Sequence, residues 1–327
     1  MMNRRYVILG CISASAPLAE LALAQEDCCP GKCCPSTIVV PFPPGGSTDT
    51  VARLLAQSLS KKWGSSVVVE NVGGAGGLVG ASRVANAEPD GKTLLLTNES
   101  LSINAAVVPA QGRATFDSLA PISQVTSAPY VLVVPAQSPY LKIQDLISAA
   151  QREPGKLTMA SAGNASSSHI AGAMLTGLAK MTVSHVPYRG LGPVVTDLIG
   201  GQVTFAVLDL PSVILHLRQG KLRALAISGP TPQSSLPSVP TFAQVGVQGL
   251  DITSWTGLFA PKALKDTSVR RVAQDVAAAL QEQNLKESLA SSGLETAPLS
   301  ATAFASKLSA DFRARSATVA SQRISRD

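Results

Sequence analysis

The stretch VVPFPPGGSTDTVARLL, residues 39–55, passes from β-branched residues through prolines and two glycines into a helical rhythm. The pattern predicts a buried strand at Ile38–Pro41, followed by a helix that ends at Gly64. A glycine turn before a helix exposes backbone N–H groups that have no partner within the helix, at the positive end of its dipole. The stretch therefore predicts a site for an anion.

The bulk composition is typical of a well-packed globular protein. The 327 residues are 45% hydrophobic and 15% charged, and this length favours two lobes over a single compact domain. The formal charge is +6, but Lys and Arg are scattered, and aromatic residues make up only 4% of the chain. Scattered basic residues without aromatic platforms are usual on a solvated surface, so we expect no nucleic acid partner.

Apolar strands and amphipathic helices alternate along most of the chain. Such alternation is typical of the α/β class, in which crossover helices join parallel strands. No element is predicted between Asn98 and Pro129. Strands are predicted at Ile38–Pro41, Val67–Val69, Thr93–Thr97, Tyr130–Val134, Leu157–Ser161, Val183–Pro187, Val203–Leu208, Leu222–Ser228 and Ile252–Ala260.

Residues 1–24 have the features of an export signal. Arg4 and Arg5 precede a mostly apolar stretch that ends in Ala-Leu-Ala. We expect cleavage after Ala24 and a soluble, exported mature protein, with the general and twin-arginine routes both open. The alternative is a lipoprotein signal cleaved at Cys11, which is less favoured because the apolar stretch before Cys11 is too short.

A cysteine-rich segment, residues 25–36, follows the expected signal. Its cysteines flank a Pro-Gly turn, and no further cysteine occurs downstream. In an oxidising compartment they are expected to form two disulfides, whose pairing the sequence does not decide. A thiolate site for Zn²⁺ or Cu⁺ is the alternative. The residues concerned are Cys28, Cys29, Cys33 and Cys34.

The sequence lacks the common catalytic and nucleotide-binding motifs. No lysine follows Gly45 and Gly46 as a P-loop requires, and the glycine run of residues 71–80 departs from the dinucleotide fingerprint. The serines near His169 form no nucleophile elbow, and the three histidines are far apart in sequence. We therefore expect no enzyme, no cofactor and no catalytic metal.

A second donor-rich loop, SAGNASSSH at residues 161–169, also follows a predicted strand and precedes a predicted helix. Its small residues and hydroxyl groups could bind a carboxylate together with the glycine turn at Gly45 and Gly46, which is the first loop, so that each lobe carries one loop. The alternative is ordinary capping of the helix by serine, with no ligand. The residues alone leave both interpretations open.

Six motifs resemble those of one family, in the same order and with the same spacing. They are VVPFPPGGSTDTVARLLAQSL, VVVENVGGAGGLVGASRVANAEPDGKTLLL, LTMASAGNASSSHIAG, VPYRG, LIGGQVTFAV and GKLRALAISG. From about Thr37 to the C-terminus, the chain resembles the Bug receptors, which are the substrate-binding receptors of tripartite tricarboxylate transporters. The resemblance implies a periplasmic binding protein of the type II fold, with mostly parallel sheets in two lobes joined by a hinge.

The resemblance also implies a function and a domain organisation. A monomeric receptor in the periplasm would close its lobes over a small organic carboxylate and deliver it to the membrane permease subunits. A carboxylate sensor or an enzyme on the same scaffold is the alternative. Lobe 1 is expected at residues 37–125 and 251–327, and lobe 2 at residues 126–250.

In this family, backbone amides and ordered waters hold the ligand carboxylate, with little help from Arg or Lys. The matching positions lie in the two loops, at the end of the third strand, in the VPYRG loop and after the strand Val203–Leu208. They are Pro44, Gly45, Gly46, Ser47, Thr48, Asp49, Thr97, Asn98, Ser161, Ala162, Gly163, Asn164, Ala165, Ser166, Ser167, His169, Tyr188 and Asp209.

Two departures from the family pattern bear on this site. Residues 71–74 are Asn-Val-Gly-Gly where the family usually has Asn-Arg-Pro-Gly, so one charge and one stiff residue are absent. Residues 208–211 are Leu-Asp-Leu-Pro where the family commonly has Asp-Asn-Leu-Pro. Asp209 either faces the cleft, which would favour an amine or hydroxyl on the ligand, or only caps the following helix.

Overall fold

The computed structural model describes residues 36–233, 235–250 and 252–325. The expected signal peptide and the four cysteines of residues 28–34 therefore lie outside the described residues. The strands are β1 (Ser36–Val40), β2 (Val67–Asn71), β3 (Thr93–Asn98), β4 (Leu119–Pro135), β5 (Thr158–Ser161), β6 (Ser184–Pro187), β7 (Phe205–Asp209), β8 (Leu222–Ile227), β9 (Thr253–Pro261) and β10 (Glu295–Thr296).

Helices follow most of the strands. Across the described ranges, every helix is too short or too polar to span a bilayer. The helices are α1 (Ser47–Trp63), α2 (Leu78–Ala85), α3 (Ser100–Val107), α4 (Gln111–Asp117), α5 (Ile143–Arg152), α6 (Ser167–Leu178), α7 (Leu191–Ile199), α8 (Leu210–Arg218), α9 (Asp266–Ala279), α10 (Gln283–Ser291) and α11 (Ala301–Gln322).

The ten described strands form two sheets that share β4. In lobe 1 the strand order is β2-β1-β3-β9-β4, and β10 also pairs with β4. In lobe 2 the order continues as β4-β7-β5-β6, and β8 also pairs with β4. A single long strand therefore runs through both lobes, and the α/β class predicted from the sequence is confirmed.

The sheets are mixed. β1 pairs in parallel with β2 and β3, and β5 pairs in parallel with β6 and β7, as the alternation of strands and helices predicts. Every antiparallel pair among the described strands involves β4 or β9. The pairs of β9 with β3 and β4 arise because β9 brings the chain back into lobe 1 in the opposite direction.

We propose the domain boundaries expected from the sequence, with lobe 1 at residues 37–125 and 251–327 and lobe 2 at residues 126–250. The course of β4 supports them. This strand pairs with β9 as far as Pro129 and with β7 from Tyr130 onward.

β4 begins at Leu119, eleven residues before the predicted start at Tyr130. The prolines at positions 121 and 129 concealed this first half, because proline cannot donate to a strand ladder and usually marks a break. In the structure the register between β4 and β9 shifts twice, the first time directly after Pro121. Irregular pairing of this kind accommodates proline within a strand.

Both faces of each sheet are covered by apolar side chains. In lobe 1, Ile38 and Val40 pack into one buried cluster and Val39 into another. In lobe 2, Leu132 and Val133 are likewise divided between two clusters. Successive strand residues point to opposite faces, so burial on both sides explains the continuous apolar runs in the sequence.

A small apolar cluster also joins the two lobes beside the cleft. It contains Ile103 of α3, Ala165 of the second loop, Ile170 and Ala173 of α6, and Ile324 just after α11. We call this the bridging cluster. Through it, the end of the C-terminal helix contacts both lobes.

Gly80 provides a test of the packing that places α2 beside β1. A Cβ atom at this position would lie 2.6 Å from the Val72 carbonyl oxygen and 2.9 Å from the Pro41 side chain. We expect Gly80→Ala to lower the melting temperature, because overpacking typically costs about 1–3 kcal/mol. The control is Gly192→Ala, since Gly192 lies in α7 with open space around it. Equal melting temperatures for the two variants would contradict the close packing.

Candidate functional site

A cavity of about 480 Å³ lies between the two lobes. We call it the cleft cavity. None of the described residues that line it carries a charge, and most are small or polar. They are Phe42, Ala75, Gly76, Asn98, Ser100, Ile103 and Asn104 from lobe 1, and Ala162, Asn164, Ala165, Ser166 and Ser167 from lobe 2.

The second loop is shaped by its own hydroxyl groups. Ser166 caps α6, because its Oγ accepts a hydrogen bond from the His169 amide at 3.2 Å. The Ala162 amide donates to the Ser168 Oγ at 3.0 Å. Ala165 has a φ of 53°, a left-handed conformation that costs free energy for a residue with a side chain. These local bonds hold a strained loop against the cleft.

Two stacked histidines support the second loop from behind. The His169 and His185 rings are 3.8 Å apart between centroids. His185 Nε2 lies 2.7 Å from Ser161 Oγ, and this hydroxyl donates to the Gly163 carbonyl at 3.1 Å. The Ala165 amide donates to His169 Nδ1 at 3.1 Å. Both histidines therefore act on the shape of the loop.

The bond from Ala165 fixes the protonation state of His169. A ring nitrogen that accepts an N–H bond carries no proton, so Nδ1 is unprotonated and the ring is neutral. Burial, together with a smaller effect of the neighbouring His185, lowers the pKa of His169 to about 4. Burial also lowers the pKa of His185. The conformation of the second loop is thus compatible with neutral histidines.

In the first loop, residues 44–49, hydrogen-bond donors surround the charged side chain of Asp49. The Asp49 carboxylate accepts hydrogen bonds from the Gly45 amide at 2.9 Å, from the Arg53 guanidinium at 2.9 and 3.0 Å, and from the Asn71 amide at 2.9 Å. The bond from Arg53 is the largest cause that lowers the pKa of Asp49 to about 2. Asp49 therefore shapes the loop from within.

The N-terminus of α1 carries no side-chain cap. Gly46 occupies the cap position in an extended conformation and offers no side chain to the amides of the first turn. The Asn71 side chain, which bonds to Asp49, also donates to the Phe42 carbonyl at 3.1 Å. These contacts join the uncapped helix end to Phe42, which lines the cleft cavity.

A third turn, which the sequence analysis did not assign to the site, also reaches the cleft cavity. A short 3₁₀ turn at Ala75–Gly77 precedes α2, and Gly74, Gly76 and Gly77 all have positive φ. The Asn104 side chain donates to the Gly76 carbonyl at 3.0 Å and so fixes this turn to α3. The turn forms part of the lobe 1 wall.

Comparison with known proteins identifies the family. The family model described as the tripartite tricarboxylate transporter family receptor matches residues 51–323. The chain belongs to this receptor family. The resemblance given by the six sequence motifs is thereby confirmed, and so is the two-lobed fold that it implies.

Individual relatives are similar over most of their length. Protein BugT of Bordetella pertussis is 34% identical over 297 residues, which are 89% of this chain and 89% of that protein. The solved structure of MatC from Rhodopseudomonas palustris with bound malate has a TM-score of 0.75 and 30% identity, and covers 87% of this chain and 98% of its own. An R. palustris protein with adipate has a TM-score of 0.78 and 28% identity, and covers 89% of this chain and 97% of its own.

The receptor brings six of the predicted site residues to the wall of the cleft cavity. These are Asn98, Ala162, Asn164, Ala165, Ser166 and Ser167. Thr97 and Ser161 are buried beneath the wall. Gly163 and His169 belong to the second loop but do not line the cavity, and neither do the predicted residues of the first loop, Pro44, Gly45, Gly46, Ser47, Thr48 and Asp49.

Tyr188 and Asp209 also lie outside the lining of the cleft cavity in this receptor. The Tyr188 hydroxyl donates to the Asp197 carboxylate at 2.6 Å, and this bond is the main cause that raises the Tyr188 pKa to about 12. Asp209 precedes α8 without capping its amides, and accepts a bond from the Ser212 hydroxyl at 2.6 Å. Burial raises the pKa of Asp209 to about 6, with a smaller contribution from the Glu99 charge.

The sequence analysis missed Phe42, Ser100, Ile103, Asn104 and the turn at residues 75–76. The glycine-rich run around Gly76 was itself a signal, because several adjacent glycines before a helix predict a turn with positive φ. Ile103 and Asn104 gave no local signal, since their position depends on how α3 packs against the cleft.

The neutral form of His169 leads to a pH dependence. The folded pKa of about 4 lies below the unfolded value of about 6.5, so unfolded chains bind the proton first and stability is lost as the pH falls between these values. We expect His169→Asn to flatten this loss, because asparagine offers an acceptor near the position of Nδ1 but does not titrate. The measurement is the melting temperature of both proteins from pH 7 to pH 4. Parallel curves would contradict the assignment.

The contribution of Asp209 to stability has the opposite pH dependence. Its folded pKa of about 6 lies above the unfolded value of about 3.9, so stability is lost as the pH rises through this interval. We expect Asp209→Asn to melt a few degrees above the wild type at pH 7.5, with the difference vanishing near pH 4. Asparagine keeps an acceptor for Ser212. A variant that is less stable at pH 7.5 would show that the charged form is the favoured one.

Proposed function

We propose that this receptor captures a small organic carboxylate between its lobes and delivers it to a tripartite tricarboxylate-type permease. The observation that carries the proposal is the cleft cavity, an uncharged space that is lined from both lobes and has the starts of α3 and α6 in its wall. Relatives of similar fold contain malate and adipate. Both ligands are small carboxylates of a size that suits such a cavity.

The chemistry of the cavity wall supports carboxylate binding through the backbone. Lobe 2 contributes the start of α6 with Ser166 and Ser167. Lobe 1 contributes Asn98 and the 3₁₀ turn at Ala75–Gly77. Backbone N–H groups at helix starts and glycine turns bind anions without a cationic side chain. We propose that the first loop joins the site when the lobes close, because Gly46 leaves the start of α1 without a side-chain cap.

Closure of both lobes supplies the required affinity. A charge-assisted hydrogen bond contributes about 1.5–3 kcal/mol net, so about four of them give roughly 6–12 kcal/mol. Association costs at least about 4 kcal/mol, and micromolar binding needs about 8 kcal/mol. Donors on a single loop fall short of this sum. Donors from both lobes, together with the exclusion of water, provide the difference and give the permease a closed form to recognise.

The proposal includes a periplasmic location for the receptor and a monomeric state. It also includes binding without turnover. The buried hydroxyl of Ser161 argues against use of the nearby histidines in catalysis, since that hydroxyl bonds to Gly163 and is closed to solvent. A sensor role would use the same cleft. Neighbouring genes for permease subunits would favour transport, and a neighbouring sensor kinase would favour sensing.

The two loops can be tested separately. Screening mono-, di- and aromatic carboxylates by thermal shift and calorimetry should give one-to-one binding with the ligand recovered unchanged. Gly46→Val fills open space, since the nearest atom to its Cβ is 3.9 Å away, but blocks access to the α1 amides. Ser167→Val removes a hydroxyl from the cavity wall. We expect each variant to weaken binding at least about tenfold, which corresponds to about 1.4 kcal/mol.

Gln57→Val is the control, because it places valine on the exposed face of α1, away from the cleft. It should leave the dissociation constant unchanged. Normal binding by Gly46→Val alone would remove the first loop from the site. Normal binding by both loop variants, or conversion of the ligand to a product, would refute the proposed function.

A further inference from the structure

Glu99 is a buried carboxylate that the binding proposal does not use. The residue is only 2% exposed, and it lies at the cap position of α3. Its two neighbours in sequence, Asn98 and Ser100, both line the cleft cavity. The Asn98 side chain also accepts a bond from the Ser100 amide at 3.1 Å. Any displacement of Glu99 therefore displaces the wall of the cleft cavity.

The partners of Glu99 lie on the two strands that join the lobes. The Tyr130 hydroxyl of β4 donates to Glu99 Oε1 at 2.7 Å. From β9, the Trp255 amide donates to Oε2 at 3.2 Å, and the Ser254 hydroxyl lies 3.4 Å from both oxygens. The carboxylate that lies between two residues of the cleft wall is thus bonded to both strands.

These contacts lie where the strands pass from one sheet to the other. Tyr130 is the first residue of β4 that pairs with lobe 2, opposite Asp209 of β7. The residue before it, Pro129, is paired with Thr253 of β9 in lobe 1. A change of angle between the lobes must bend the strands near this point. The donors to Glu99 therefore move with the hinge.

The burial of Glu99 makes the connection stiff. A buried carboxylate that loses its hydrogen-bond donors has a large desolvation penalty, because no water replaces them. Glu99 must follow its donors when they move. Hydrogen bonds to an ionised acceptor are also stronger than neutral ones, which favours a single arrangement.

We propose that Glu99 is a positioning residue that couples the hinge strands to the wall of the cleft cavity, so that lobe closure and ligand contact occur together. This inference rests on the proposed function for its biological use, although the mechanical connection is a property of the chain itself. Glu99 acts through Asn98 and Ser100 and is not assigned a contact with the ligand.

The test uses variants that break the connection on different strands. Tyr130→Phe removes the short bond from β4 and keeps the ring in the core. Ser254→Ala removes the longer contact from β9. Glu99→Gln keeps the size of the side chain but removes its charge and one acceptor. Ser123→Ala is the matched control, because Ser123 is also a buried hydroxyl on β4, and it bonds to the Gln124 and Leu299 carbonyls and not to Glu99.

The first measurement needs no ligand. Hydrogen exchange of the amides in residues 98–104 should be several-fold faster in Tyr130→Phe and Glu99→Gln than in Ser123→Ala, even where all variants melt at similar temperatures. Ser254→Ala should have a smaller effect than Tyr130→Phe, because its contacts are longer. Exchange in these residues at the control rate would overturn the inference.

The second measurement uses a carboxylate that the wild type binds, with malate and adipate as the first two probes. We expect Tyr130→Phe and Glu99→Gln to raise the dissociation constant about tenfold, and to reduce the ligand-induced fall in radius of gyration measured by X-ray scattering. Ser123→Ala should match the wild type in both. Wild-type affinity and full compaction in both variants would overturn the inference.

The two proposals fail in different ways. If the wild type binds no carboxylate of any class while exchange in residues 98–104 still increases in the variants, the proposed function is wrong and the mechanical connection stands. If the wild type binds and compacts while the variants do the same with unchanged exchange, only the role of Glu99 is wrong.

Discussion

The antiparallel pairing of β4 with β9 is the interaction on which the two-lobed structure depends. β4 belongs to both sheets, and β9 holds its first half within lobe 1. Backbone hydrogen bonds of this kind resist stretching and sliding but allow a strand to twist and bend. The lobes can therefore change their angle without losing their pairing. Every group on the cleft walls is positioned relative to these two strands.

Charge near the cleft shapes the first loop. Asp49 is satisfied by Arg53, Asn71 and the Gly45 amide within the first loop. The described wall of the cleft cavity is left uncharged. A wall of amides and hydroxyls discriminates between ligands by geometry, since each donor points in a fixed direction, whereas a lysine would attract any anion in reach. The same design leaves the loops sensitive to small changes in backbone conformation.

The sequence predicted those parts of the fold that follow from local pattern. Ile38–Pro41 and the later apolar runs indicated strands buried on both faces, and the glycine and serine loops indicated helix starts. It failed where tertiary contacts override local preference: Pro121 and Pro129 lie within β4, and α3 and α4 fill a stretch with no clear periodicity. Within the site, Ser166 and Ser167 could be named from their loop. Phe42 and Ile103 could not, because only packing between elements brings them to the cavity.

The bridging cluster has a consequence for the empty receptor. Opening the lobes on that side would separate Ile103 from Ala165 and Ile170. Apolar surface that is now buried would then be exposed to water. Full opening of the lobes thus costs free energy even without a bound solute. The receptor therefore favours a narrow cleft before it binds. Part of the free energy of lobe closure therefore comes from the protein's own apolar contacts, and the contacts of the solute need to supply only the remainder.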